Sequence, residues 1–448
     1  MSEFPPSTED FVEAYHCGRD IGSDQFSLKF LRTGEGWRGR MPLGDGIYFA
    51  TDPDIARLYC KHHKEPYLYK VRISTNKMQH GYKSPEEVAR QGIWSTWETL
   101  GDGRTKEIAV FNMNAITVVE KTYQPLTVAS LFAGGGGWEV GAVEAGLRPV
   151  WASELQDDIA AAHNAALPES QVFVGDVTKL SPRTVQAVDI LCVSPPCQGY
   201  SWARVSKQLD EREDLLVGLQ AAKFVEWLRP KAVLMENVPA YAKSETFSAL
   251  IEMLRRAGYH VDWQTVNCQH YGVPSTRRRL IVRATLGWLP PWPAKQAPVP
   301  SWDDALQDLL PSLPRAKPLA PWQLRSLALC PPPEGKDLLI SGGGGSFCAP
   351  TGTQAVTLKQ MVKKVWTAPG RPGPTMVASA QSMRGYRILQ ADGKVSRFTP
   401  RCAARIQSFP DWYPLPDNEV LAYKIVGNAV PPALAKAFIE SVMYVGRG

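Results

Sequence analysis

The most reactive side chain lies in the stretch Ser194-Pro195-Pro196-Cys197-Gln198-Gly199-Tyr200-Ser201. An apolar run, Val188 to Val193, precedes it and reads as a buried parallel strand. The two prolines end that strand, since neither can donate to a ladder. Cys197 therefore falls at the C-terminal end of a strand, where open α/β sheets place their ligands. A thiolate there is a nucleophile near neutral pH. A free cysteine is more often simply packed in a core, so the neighbours decide.

Those neighbours form a series of strand ends. Phe132-Ala133-Gly134-Gly135-Gly136-Gly137 follows an apolar strand and opens a helix, a place where backbone amides meet an anionic or polar ligand. The spacing GxGxxG is not met, because position 139 is Glu, which weighs against a dinucleotide at this loop. Glu154 ends the next strand about 20 residues on, the place of a ribose-binding acid. Asp176 ends the third strand, and Glu236-Asn237 the fifth. A cysteine nucleophile beside a carboxyl group suggests covalent catalysis with acid assistance. Arg277-Arg278-Arg279 is a basic patch in which alternation places Arg277 and Arg279 on one face.

These positions imply the elements that carry them. Between residues 126 and 284 apolar strands alternate with amphipathic helices, which predicts a mostly parallel sheet of the α/β class. Predicted strands include 126–132, 149–152, 171–174, 232–235, 261–266 and 279–284. Helices are expected over 215–228, 247–257 and 432–442, with Gly258 capping the second. Residues 1–122 hold many strand-like runs and few helices, and form a small α+β domain. Residues 285–395 are broken by prolines and by the run Gly342 to Gly345, and are expected as a loop-rich insertion. The catalytic domain then comprises 123–284 and 396–448.

Composition narrows the class. With 448 residues, 44% of them hydrophobic, the chain can bury two or three cores. It contains no apolar run of 18 residues, so no membrane span is expected. The start Met1-Ser2-Glu3-Phe4-Pro5-Pro6 lacks the basic and apolar regions of a secretory leader. Eight cysteines without a CxxC pair suit a reducing cytosol and predict no structural zinc. The net charge of +6 permits a polyanionic partner without requiring one.

Six blocks in order then identify a resemblance. Leu131 to Gly137, Ser194 to Gln198, Glu236-Asn237-Val238, Tyr271-Gly272-Val273-Pro274 through Arg279, Phe398 to Pro410, and Gly427-Asn428-Ala429-Val430-Pro431-Pro432 resemble DNA (cytosine-5)-methyltransferases. The resemblance implies a Rossmann-like domain that binds S-adenosylmethionine, with 285–395 in the place of the target-recognition region. Cys197 would attack carbon 6 of a cytosine flipped out of double-stranded DNA. Glu236 would hold or protonate ring nitrogen 3, and Arg277 and Arg279 would contact the base and its surroundings. Phe132 would pack on the adenine, Glu154 bind the ribose and Asp176 the adenine amino group. Gly134, Gly136, Gly137, Pro196, Leu215 and Asn428 would complete the cofactor site. The loop Gly199 to Asp214 would close over the base, with Ser201, Arg204, Lys207 and Arg212 near phosphates. Ser275 stands where the family usually has Gln. A cytoplasmic monomer of prokaryotic or phage origin, in a setting such as restriction-modification, is the corresponding expectation.

The first domain carries a second resemblance. His16, Tyr48 in Gly44-Asp45-Gly46-Ile47-Tyr48-Phe49-Ala50, and Glu107 resemble the triad of ADP-ribosyltransferases of the poly(ADP-ribose) polymerase type. It implies that His16 binds an NAD ribose, Tyr48 stacks on nicotinamide, and Glu107 stabilises the charge that develops as the glycosidic bond breaks. The acceptor would be DNA or a protein. The alternative is an inactive copy kept as a DNA- or protein-binding module.

Overall fold

The structure, a computed structural model, describes residues 11–18, 47–51, 67–74, 78–80, 88, 90–91, 93, 95–99, 106–110, 116–123, 125–196, 211–341, 346–348 and 362–443. The chain divides between Leu126 and Thr127 into two compact units.

The first unit is built on strands β1 (Phe11–Gly18), β2 (Ile47–Ala50), β3 (Tyr67–Ser74), β4 (Met78–His80), β5 (Ser95–Thr99), β6 (Lys106–Val110) and β7 (Ile116–Tyr123). They form one seven-stranded sheet in the order β4-β5-β6-β2-β1-β3-β7, antiparallel except for the β4-β5 edge pair. Its core includes Ala14, Phe49, Tyr69, Val71, Ile73 and Ile108. A loop at 42–46 and a helix from Pro53, which the turn residues and the Thr51-Asp52 cap predict, lie outside the described residues.

The second unit opens with β8 (Thr127–Leu131), α1 (Gly137–Glu144), β9 (Arg148–Glu154), α2 (Asp157–Ala166), β10 (Gln171–Val174) and β11 (Ile190–Val193). There follow α3 (Glu211–Leu228), β12 (Ala232–Asn237), α4 (Glu245–Arg256), β13 (His260–Asn267) and β14 (Arg278–Thr285). The sheet order is β10-β9-β8-β11-β12-β14-β13. β8 to β12 run parallel, while β14 is antiparallel to both β12 and β13. The chain order reverses between β8 and β11, and a ligand crevice forms outside the strand C-termini at such a switch point.

Central strands β11 and β12 are buried at every position, as helices on both faces require. Helix α4 shows why its sequence is helical. Ser244 caps it by accepting from the Phe247 amide, and Phe247, Leu250, Ile251 and Leu254 recur along one buried stripe. Burying each such side chain is worth about 1.5–3 kcal/mol. Gly258 follows at φ 86°, the left-handed turn that ends the helix.

Residues 285–395 are more ordered than expected. Helices α5 (Trp302–Leu306) and α6 (Pro321–Leu329) precede strands β15 (Leu338–Ile340), β16 (Ser346–Cys348), β17 (Val362–Lys364) and β18 (Trp366–Thr367). Helix α7 (Ala380–Arg384), β19 (Arg387–Leu389) and β20 (Val395–Arg397) complete the region. Four of these strands make a sheet in the order β18-β15-β19-β20, over a core that includes Leu319, Leu338, Ile340 and Val365. Strands of two or three residues are too short to show alternation, so the prolines dominate the sequence pattern. Cys330, at the end of α6, is disulfide-bonded, so the reduced state expected from the cysteine spacing does not extend to it. Helices α8 (Pro400–Ile406), α9 (Glu419–Asn428) and α10 (Pro432–Val442) return to the main body. No helix among the described residues is long and apolar enough to cross a membrane.

Candidate active site

The glycine loop leaves β8 through a strained residue. Phe132 has φ 60°, a left-handed conformation that costs a non-glycine residue about 1–2 kcal/mol. Ser153 on β9 holds it there: Oγ accepts from the Phe132 amide at 3.3 Å and the carbonyl from the Ala133 amide at 2.9 Å. Gly134 and Gly136 also have positive φ, and Gly136 caps α1. The glycines then differ in purpose. A Cβ at Gly134 would meet nothing within 4 Å. One at Gly135 would strike Ile425 and Tyr413, and one at Gly137 the Val430 carbonyl. The positive φ thus explains Gly134, whose open side leaves room for a ligand, while Gly135 and Gly137 are required by the C-terminal segment packed on them.

Two acids complete this rim. Glu154 is buried, and its carboxylate accepts from the Gly134 amide at 3.0 Å and the Gln156 amide at 2.9 Å. Its carbonyl accepts from Gly175 at 2.8 Å, which brings the end of β10 alongside. Asp176 is exposed, and its Oδ1 accepts from the Thr178 amide at 2.9 Å and hydroxyl at 2.8 Å. Those bonds hold its carboxyl below the usual range. An aromatic ring and two carboxylates around an open glycine fit an adenosine group, which offers a flat base, ribose hydroxyls and an exocyclic amine.

Across the switch point lies the root of the Pro-Pro-Cys loop. The Ser194 amide donates to the Leu131 carbonyl at 3.2 Å, and Ser194 Oγ accepts from the Trp138 indole N–H at 3.0 Å. Asn237 Nδ2 donates to the Pro195 carbonyl at 3.1 Å. Pro196 is exposed beside them. Cys197 lies outside the described residues, as do Ser201, Arg204 and Lys207 in the loop after it. Arg212 and Leu215 fall within the backbone of α3.

Glu236 ends β12 next to this root. Its Oε1 pairs with Arg279 Nε at 2.6 Å, and the two side chains are only 8% and 13% exposed. Burial pushes the nearby Cys268 thiol up to about 11, so it stays neutral beneath the pair.

Arg277 departs from expectation. Strand β14 starts one residue later, and Arg277 is 1% exposed. Its guanidinium donates to the carbonyls of Met376 at 2.9 Å, Gly427 at 3.1 Å and Ala429 at 3.2 Å. It clamps two segments of the fold, around Met376 and at Gly427–Ala429, and is buried where the sequence places it on an open face. Ser275, in the same stretch, donates to the Pro374 carbonyl at 2.9 Å and so joins this anchorage. Asn428 is exposed between the two C-terminal carbonyls that Arg277 holds.

In the first unit only the backbone bears on the triad. His16 lies on β1, Tyr48 on β2 and Glu107 on β6, which are adjacent in the sheet. Glu107 is the register partner of Ala50, and Ala50 of Tyr15.

Trp138, Ser153 and Asn237 all fix the crevice, although the sequence alone gives them no role. An indole N–H on the first turn after a glycine loop is a donor that must find a partner once buried, and that was the available signal for Trp138.

Comparison with known proteins agrees with this geometry. The family profile described as C-5 cytosine-specific DNA methylase matches residues 126–443. The type II methyltransferase M.AplI of Arthrospira platensis is 30% identical over 324 residues, covering 71% of this chain and 85% of its own. M.DdeI of Desulfomicrobium norvegicum is 27% identical, covering 71% and 89%. M1.HphI of Haemophilus parahaemolyticus is 25% identical, covering 71% and 87%.

Proposed function

The chain belongs to the C-5 cytosine-specific DNA methylase family, and from that premise we propose that its second unit methylates carbon 5 of a flipped-out cytosine through a covalent bond to Cys197. One observation carries the reading. Glu236 and the root of the Cys197 loop sit at the ends of adjacent parallel strands, joined by Asn237, across the switch point from the glycine loop. The family's methyl donor is S-adenosylmethionine, which when bound supplies an electrophilic methyl group. Phe132, Gly134, Glu154 and Asp176 would hold its adenosine.

The Cys197 thiolate adds to carbon 6, and the displaced ring electrons move toward nitrogen 3, where Glu236 holds a proton. Arg279 occupies Oε1, which leaves Oε2 for the cytosine. Carbon 5 becomes nucleophilic and would take the methyl group, the donor's sulfur–methyl bond breaking to leave S-adenosylhomocysteine. A base then removes the carbon 5 proton, the sulfur–carbon 6 bond breaks, and the ring recovers its aromaticity. Since carbon 5 is stacked in a duplex, the base must be extruded first, at a cost of a few kcal/mol. The short-stranded sheet of residues 285–395 would read the target, and a modification role like that of the type II relatives is the corresponding proposal.

Transfer of labelled methyl groups from S-adenosylmethionine to double-stranded DNA tests this reading. Cys197→Ala should abolish transfer; full activity in that variant would remove the nucleophile assignment.

A second reading concerns the first unit, because His16, Tyr48 and Glu107 fall on three neighbouring strands of one sheet. We infer an NAD-dependent transfer of ADP-ribose to DNA or to a protein. Mass spectrometry of nucleosides and protein after incubation with NAD should detect the addition in wild type and lose it in Glu107→Gln. No addition to any acceptor in a lysate would leave the unit as a binding module.

A further inference from the structure

We propose that Trp138 is a positioning residue that sets the nucleophile loop against the cofactor loop through one hydrogen bond to Ser194; the proposal rests on the methyltransferase reading above. Ser194 is pinned twice. Its amide donates to Leu131, the last residue before the glycine loop, at 3.2 Å. Its Oγ accepts from Trp138, the second residue of the helix after that loop, at 3.0 Å. The two bonds bracket the whole span from Phe132 to Gly137. A third, from Asn237 to the Pro195 carbonyl at 3.1 Å, ties the same root to the strand that carries Glu236.

Trp138 is itself held rigidly. It is 2% exposed, in a helix whose Gly141 lies so close to α10 that a Cβ would strike Ala435 and the Pro432 carbonyl. After Ser194 come two prolines with locked φ. A shift at Ser194 therefore passes to Pro196 with little slack. The reaction makes this matter, because sulfur must reach carbon 6 while the methyl group reaches carbon 5. Those are neighbouring ring atoms, served from the two separate loops that Ser194 and Trp138 join. Misplacement by about 1 Å can cost about a hundredfold in rate.

The bond acts on geometry in the complex, so its loss should appear in kcat and not in KM. Trp138→Phe keeps most of the ring and removes the donor, and Ser194→Ala removes the acceptor. Each should lower kcat for DNA methylation about 5–20-fold, with KM for S-adenosylmethionine and for DNA within about twofold. Ser194→Thr, which keeps the hydroxyl, should retain wild-type kcat. Because both single variants break the same bond, the double variant should be no slower than the slower single one. Effects that multiply, or a wild-type kcat in Ser194→Ala, would overturn the proposal. Ser194 is only half-buried, so Ser194→Ala decides the matter even where Trp138→Phe folds poorly. An inactive wild-type enzyme would instead reject the methyltransferase reading, a distinguishable result.

Discussion

Arg279 Nε lies 2.6 Å from Glu236 Oε1, at the point where β12 and β14 run side by side. This pair fixes one carboxylate oxygen and thereby the direction of the other. Glu236→Gln keeps the shape but loses the acid, and should reduce methylation kcat by about 10²–10⁴-fold, the usual worth of a general acid. Arg279→Lys keeps the charge without the planar fork and should cost roughly tenfold. Steady-state kinetics on both variants check the order, and an Arg279→Lys loss larger than that of Glu236→Gln would contradict it.

Arg277 predicts a different signature. Its guanidinium satisfies three carbonyls in the interior. Arg277→Met would leave them stranded, at about 1–3 kcal/mol for each buried group left without a partner. Thermal melting should show a drop of several degrees. A normal melting temperature with weakened DNA binding would instead restore the base-contact role.

The glycine loop can be dissected by position. Gly134→Ala faces open space but must adopt φ 55°. It should raise KM for S-adenosylmethionine and leave the fold intact, at about 1–2 kcal/mol of strain. Gly137→Ala would drive a methyl group into the Val430 carbonyl and should reduce the yield of folded protein. Isothermal titration with the cofactor, beside melting curves, separates the two effects.

Glu139 should make stability depend on pH. It is fully buried on α1, and neither carboxylate oxygen has a hydrogen-bond partner of good geometry among the described residues. Burial raises its pKa, with His163 opposing. A carboxyl group with a raised folded-state pKa keeps its proton in the native state after the unfolded chain has lost it. Its contribution is fully present below the ordinary Glu value and is lost as pH rises through the folded value. Glu139→Gln cannot ionise, so it should melt higher than wild type at pH 8, with the gap closing toward pH 4. Melting curves across that range test it, and a gap constant with pH would count against the assignment.

The sequence alone determined the α/β class, the order of the strand ends and the family. Glycine loops, prolines after apolar runs, and acids at strand ends are local signals, and the physics that selects them acts over a few residues. It also placed Glu236 at a strand end, in the strand that follows the Pro-Pro-Cys segment in the chain. What only the tertiary structure decided are relations across the chain. Arg277 is a clamp because carbonyls 99, 150 and 152 residues away, in two segments, supply its acceptors. Gly135 and Gly137 are glycine because residues 413 to 430 pack on them. Trp138 meets Ser194 across 56 residues, at a point where two parallel strands meet out of chain order. No periodicity or propensity encodes such pairs, since the hydrogen-bond partner of a buried donor is chosen by the packing of the sheet and not by sequence neighbours.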